Sequence, residues 1–427
     1  MEHVRYDAYK TGRKMYILEA ALEYFISLLI ADAYLAKLTA YVGMSDAMTG
    51  ILSAFVSLGC GVQIVAVFFG RMRSVKRFVT VGHTFNQLLF ALVYLTPFLP
   101  IRTEHRSIFM LICLLMGHIV ANTVHAAKIN WFMSMVEDGR RGVFTANKEI
   151  VSLLGGMLFT FAMGNIIDRY EAKGELEAAF LLCGFVLLGL TALHTVTMLV
   201  SKEPPRAVVK KGTGVLALLK NKQMMKIVLL SILWHIAQYA TAPFYGSYKV
   251  GTLGFSMALV TGLSAAGSLL RAACSRRVGR LADKYSFAVI LIPCFALWGI
   301  GYVLNAFAVP QNGVVMFALY TVLHAVAMAG VNSGTINLIY DYVEREQRVA
   351  ALALQNSIAG IVGFLTTLAC STLVDHIQQS GNIFLGISLY PQQLLSAFGA
   401  VMMLLLALYT AFVVRRIKRP AEEPAEV

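Results

Sequence analysis

Apolar runs of about 20 or more residues recur along the whole chain, separated by short stretches that hold most of the charge. A helix needs roughly 20 apolar residues to cross the hydrocarbon core of a bilayer. The runs predict helices near 15–40, 46–69, 78–99, 107–132, 143–168, 179–200, 224–248, 254–275, 286–308, 313–340, 348–374 and 389–414. They are continuous rather than alternating at period two, and backbone in lipid must satisfy its own hydrogen bonds, so helices are expected and a barrel is not. The expected fold class is an all-α membrane protein with twelve transmembrane helices.

Composition agrees with that pattern: 58% of the residues are apolar, 14% are charged, and the mean hydropathy is +0.69. A soluble globule of 427 residues would need more polar surface. The net charge of +13 invites a nucleic-acid reading, but the basic residues fall in alternate loops. One side holds Arg5, Lys10, Arg13 and Lys14, then Arg71, Arg73, Lys76 and Arg77, then Arg140 and Arg141, the 201–223 connection, Arg276, Arg277, Arg280, Lys284, Arg345, Arg348 and the tail from Arg415 to Arg419. That asymmetry predicts a cytoplasmic side carrying both termini. The start, Met1 to Lys14, precedes a first span too long and too charged for a signal peptide, and it is expected to be retained. Cys60, Cys113, Cys183, Cys274, Cys294 and Cys370 all lie inside spans without CxxC spacing, so free thiols are expected.

The connection 201–223, with Pro204, Pro205, Gly212 and Gly214, is the longest polar interruption and sits near the midpoint. It predicts a six-helix half at 1–200, a cytoplasmic linker at 201–223, and a second six-helix half with a short tail at 224–427. The halves match weakly but in register. At a constant shift of 207 residues, Met135-Val136-Glu137 through Arg141 and Gly156 faces Tyr342-Val343-Glu344 through Arg348 and Gly363, and Asp168 faces Asp375. A second pair lies between the second and third helices of each half, where Gly70-Arg71-Met72-Arg73-Ser74-Val75-Lys76-Arg77 faces Gly279-Arg280-Leu281-Ala282-Asp283-Lys284-Tyr285-Ser286.

The second octet resembles the loop signature of the major facilitator superfamily: glycine, three residues, aspartate, a basic residue, one residue, then a small residue. Twelve helices, a basic central loop and parallel six-helix halves extend the resemblance over nearly the whole chain. It implies a transporter built of two pseudo-symmetric halves, with a cytoplasmic gate at Gly279, Asp283 and Lys284 that also involves Arg141 and Arg348. Glycine would permit a tight turn there, and the acid could pair with basic neighbours. The first-half copy departs from the pattern, with Ser74 in place of the aspartate and Arg77 in place of the small residue.

Polar side chains inside a span are costly in lipid and should face a cavity or a partner. In the first helix Glu19, Glu23, Ser27, Tyr34, Lys37 and Tyr41 fall within about 80° on a helical wheel, with Asp32 on the far side. The fourth places His118, Asn122 and His125 on one stripe, with Lys128 displaced by roughly 60°. The seventh carries Ser231, His235, Gln238 and Tyr239, and the tenth Thr321, His324, Met328 and Thr335 with Asn332 at the edge. These are the first and fourth helices of each half, which in the superfamily line the central cavity. The expected substrate-binding residues are Glu23, Tyr34, His118, Asn122, His125, His235, Gln238, Tyr239, His324 and Asn332.

No Walker A, G-x-S-x-G or HExxH sequence occurs, so an ATP-driven pump, a serine hydrolase and a metalloprotease lack support. His118 and His125 are roughly 10 Å apart along one helix, too far for one tetrahedral ion on their own. Neither enzymatic activity, a cofactor nor a metal is expected. Uphill transport would then draw on an ion gradient, with Glu23 as proton carrier and Asp32 in reserve. The expectation is a monomeric, proton-coupled carrier of a small polar organic solute in the plasma or inner membrane, working by alternating access. Lys128 and Arg271 either meet an anionic group on the solute or serve as structural ion-pair partners. The alternatives are a drug/proton antiporter, whose characteristic Gly-Pro element is missing from Leu154-Gly155-Gly156-Met157, and a receptor or assembly factor with a transporter fold.

Overall fold

The computed structural model describes residues 9–66, 74–136, 141–203, 218–343 and 348–417. The chain folds into two compact units, one formed by Met1–Ala207 with Ala242–Ala265, the other by Val208–Thr241 with Ala266–Val427. Ten helices among the described residues are long and apolar enough to cross a membrane.

Unit 1 begins with α1 (Lys10–Leu29) and α2 (Asp32–Tyr41). Together they occupy the first expected span, which is broken at Asp32, where φ is +46°. The charges of Lys10, Arg13, Lys14, Glu19 and Glu23 keep α1 out of the plainly apolar class. The second expected span is likewise three pieces, α3 (Asp46–Ser53), α4 (Phe55–Gly61) and α5 (Gln63–Ala66). Then come α6 (Val75–Leu95), α7 (Thr103–Met133), α8 (Arg141–Ala172) and α9 (Leu176–Val200). α1 packs on α8 and α9, and α6 packs on α7 and α9. At the α1–α8 crossing, a Cβ on Gly156 would lie 2.4 Å from the Tyr24 ring and one on Gly155 2.6 Å from that of Phe25. Small residues are what allow helices to approach so closely without solvent to drive them together. Tyr16 stacks on Phe132 at 4.5 Å, and Val79, Trp131, Met135 and Met198 complete that core.

The helix α10 (Lys222–Ser247) continues into a π-turn, Tyr248–Thr252, and is followed by α11 (Met257–Tyr285). In unit 2, α12 (Phe287–Ala306) packs on both α13 (Gly313–Tyr342) and α15 (Pro391–Phe412), while α14 (Arg348–Gln379) touches α13 and α15. Between α14 and α15, Ile383–Phe384 and Ile387–Ser388 form a two-residue hairpin turned by Leu385 and Gly386, both at positive φ. Pro391 opens α15, and the Tyr390 N–H donates to Gln393 Oε1 at 2.9 Å, satisfying an end-of-helix donor. Many large apolar side chains are exposed, among them Leu158, Phe161, Phe185, Ile300, Leu365 and Leu404, as expected of helices whose outer faces meet lipid.

Candidate functional site

The centre of unit 1 is a buried charge cluster drawn from four helices. α1 sets Glu19 and Glu23 one turn apart on one face. From α7, Lys128 Nζ donates to Glu19 Oε1 at 2.9 Å and also to Glu23 Oε2. From α9, His194 Nε2 lies 3.0 Å from Glu19 Oε1. From α6, His83 Nδ1 is 3.8 Å from Glu23 Oε1, and its ring is 5.7 Å from that of His194. Glu19 and His194 are fully buried, Lys128 and His83 nearly so, and Glu23 alone keeps about a third of its side chain open (32%).

Two carboxylates against one ammonium leave the cluster one negative charge in excess when the histidines are neutral. In a low-dielectric interior that excess is expensive unless a proton or cation joins it. Glu19 Oε2 and His194 Nδ1 have no hydrogen-bond partner among the described residues, so the cluster has places to hold a proton. Glu19, Glu23 and His194 also bring three ligating atoms within 4.8 Å of one another, a spacing that would suit a metal. Lys128 is bonded to both carboxylates and already provides a cation there.

Glu23 opens onto a cavity of about 190 Å³ inside unit 1. Its polar walls are Ser27, Asn86, Gln87, His118, Asn122 and His125, and its apolar walls include Ile26, Val56 and Phe90. Gln63 Nε2 donates to Asn122 Oδ1 at 2.8 Å, Asn122 Nδ2 donates back to His118 O at 2.9 Å, and the His118 ring lies against Phe90. Four of the expected binding residues, Glu23, His118, Asn122 and His125, are thus brought together. Tyr34 is placed elsewhere: it is buried and donates to Thr160 O at 2.5 Å, tying α2 to α8.

Asp32, the reserve proton carrier, pairs with Lys249 at 2.6 Å, and Gly246 packs against its backbone. Nearby, Asp168 accepts from the N–H groups of Met257 and Ala258 at 2.8 and 2.7 Å, so its carboxylate caps the start of α11.

In unit 2 the expected stripes are aromatic rather than ionic. His235 Nδ1 lies 2.9 Å from Ser231 O, and its ring stacks on Tyr239 at 5.6 Å. His324 sits edge-on to Trp298 at 4.6 Å and stacked on Tyr320 at 5.2 Å. Trp234 touches both His235 and Trp298, so an unbroken run of rings joins α10 to α12 and α13. Gln238 is half-buried beside this run in sequence, whereas Asn332 is exposed.

The expected gate behaves differently from a loop. Gly279 and Lys284 lie within α11, and the tight turn is made by Ser286, at φ 109°, whose hydroxyl caps the Val289 N–H. Lys284 sits over the Tyr285 ring, and Arg348 Nε donates to Val343 O at 3.2 Å. The side chains of Asp283 and Arg141 lie outside the described residues, as do residues 70–73 of the first-half octet. Ser74, which stands where the pattern has its aspartate, donates to Glu203 Oε2 at 2.9 Å. Glu203 also accepts from the N–H groups of Val75 and Lys76, so a carboxylate from after α9 caps α6.

The comparisons with known proteins agree with this architecture. A family model described as the Major Facilitator Superfamily matches residues 16–290 and 277–427. The chain belongs to the Major Facilitator Superfamily. It is therefore an integral membrane protein with a transporter fold. No curated protein matches this superfamily member by sequence. Among solved structures, the nucleoside transporter NupG in a mutant form resembles it with a TM-score of 0.74 at 12% identity, over 94% of this chain and 99% of that one. A D-xylose-proton symporter resembles it with 0.71 at 13% identity, over 94% and 96%. A bacterial homologue of the human lysosomal transporter Spinster gives 0.59 at 13%, over 95% of each chain. At such identities the likeness shows the fold alone.

Sequence reasoning on this superfamily member passed over His83, Asn86, Gln87 and His194, because α6 and α9 are not first or fourth helices of a half. It also passed over Trp234 and Trp298, which read as ordinary apolar residues. The available signal was Lys128: a buried lysine demands acids, and Glu19 and Glu23 were the pair at helical spacing.

Proposed function

We propose that this protein is a secondary active transporter that moves a small polar organic solute by alternating access, coupled to protons. The observation that carries the reading is the Glu19–Lys128–Glu23–His194 cluster with Glu23 open to a polar cavity. A group that binds a proton only in one state must be shielded from bulk water yet reachable from the solute path, and the two-thirds burial of Glu23 together with its place on the cavity wall supports that role for it. The differential affinity of solute and proton for the two access states would then drive the exchange between them. Both termini are taken as cytoplasmic from the basic loops, and the membrane as the plasma or inner membrane. The cavity's modest volume lies below the range usual for drug-sized ligands, which favours a small solute over export of bulky amphipaths.

Proteoliposomes test this directly. Uptake by the wild type should rise with an imposed proton gradient, and Glu23→Gln should abolish the gradient dependence while leaving exchange at equal pH measurable. Gradient dependence that survives in Glu23→Gln would remove this residue from the coupling step.

A further inference from the structure

The amides beside the charge cluster pose a separate problem. Asn86 and Gln87 lie on α6, are 3% and 1% exposed, and both line the unit 1 cavity. Neither Gln87 Oε1 nor Gln87 Nε2 has a hydrogen-bond partner among the described residues, and Asn86 Oδ1 has none either. Each buried polar atom left unpaired is costly, so native proteins rarely tolerate one without a role. Here three such atoms stand on one wall of one cavity.

We propose that this cavity is a subsite for a neutral, hydroxyl-rich solute, a sugar ring either free or as the sugar of a nucleoside, with Gln87 and Asn86 as its reading residues. The inference rests on the transport reading and names its substrate class. The orphan set contains acceptors at Gln87 Oε1 and Asn86 Oδ1 and a donor at Gln87 Nε2, and a hydroxyl group both donates and accepts. Vicinal hydroxyls therefore satisfy all three atoms at once, and Glu23 can accept from a further hydroxyl at the same cavity.

An anion fits poorly. Lys128, the cation expected to greet one, is committed to Glu19 and Glu23, and the cluster it leaves behind is net negative. A quaternary cation has no acceptor to offer Gln87 Nε2. The apolar walls from Ile26, Val56 and Phe90 suit the carbon face of a ring, and about 190 Å³ suits a single ring.

The test uses the purified full chain in lipid nanodiscs with four probes: D-ribose, uridine, succinate and tetraethylammonium. Equilibrium binding is measured by calorimetry and flux by uptake into proteoliposomes. D-ribose or uridine should bind saturably, the better arm showing whether the sugar is free or part of a nucleoside. Gln87→Leu should weaken that binding at least tenfold without lowering the melting temperature, since it replaces an unsatisfied amide with an apolar group. Asn86→Leu provides a second variant should the first fail to fold. Equal affinity in wild type and Gln87→Leu, with the amides merely hydrated, overturns the proposal, as does binding of succinate or tetraethylammonium alone. Binding of D-ribose or uridine without any flux leaves the subsite standing and removes the carrier reading instead.

Discussion

The two units place different chemistry at their centres. In unit 1, Lys128 on α7 draws Glu19 and Glu23 from α1 and, through Glu19, His194 from α9, while His83 approaches from α6. In unit 2, the shift of 207 residues that aligns the halves puts Thr335 of α13 where Lys128 stands. Thr335 is also buried, but its hydroxyl donates to Val331 O at 3.0 Å and is satisfied within its own helix. A hydroxyl can close on the preceding turn, whereas an ammonium in a low-dielectric bundle must recruit acids from other helices. Unit 1 thus gathers ionic groups around Lys128, while unit 2 carries a run of aromatic rings.

The contrast can be broken most forcefully at Lys128. Lys128→Met strands two carboxylates and should cost about 3–5 kcal/mol of stability, seen as a large fall in melting temperature of the purified protein. Combining it with Glu19→Gln and Glu23→Gln should recover most of that loss, because no uncompensated charge remains. If Lys128→Met melts like the wild type, the cluster is not a paired unit. In unit 2, Trp298→Ala should cost about 3 kcal/mol through the cavity left between His324, Trp234 and Tyr302. That loss should not be rescued by changing any charged residue.

Two smaller effects sharpen the comparison within unit 1. Asp168→Asn weakens the carboxylate cap on α11 and should cost about 1 kcal/mol. Lys249→Met removes the pair with Asp32, whose side chain is 44% exposed, and should change stability by about 1 kcal/mol or less. A melting shift for Lys249→Met as large as that for Lys128→Met would mean that burial does not separate these two pairs. The same lysine-to-methionine change therefore reads out how much the surroundings of an ion pair matter.

Much of the fold was legible because membrane helices declare themselves locally. Ten expected spans are recovered as apolar helices, and the exceptions have visible causes in the charges of α1 and in the turns at Ala54 and Val62 that divide the second span. The polar stripes on the first and fourth helices were also legible, since side chains three and four residues apart share a face. The stripe on α7 does line a cavity with Glu23, while Tyr34 from the first stripe is spent on a bond to Thr160. Gly279 was read as the turn of a loop, but helix continues through it because nothing in the preceding residues ends α11 before Ser286.

Sequence by itself determined that the chain belongs in a bilayer, that it is built of repeated helices in two related halves, and which faces of those helices are polar. These follow from hydropathy and from a 3.6-residue period, both properties of neighbouring residues. Only the tertiary structure decided who partners whom. It named Glu19 and Glu23 as the partners of Lys128, choosing the ion-pair role over the solute's anion, brought His83 and His194 in from unmarked helices, and set Glu203 beside Ser74 where the expected aspartate is missing. Ion pairs and caps join residues more than a hundred positions apart, and no local pattern carries that information.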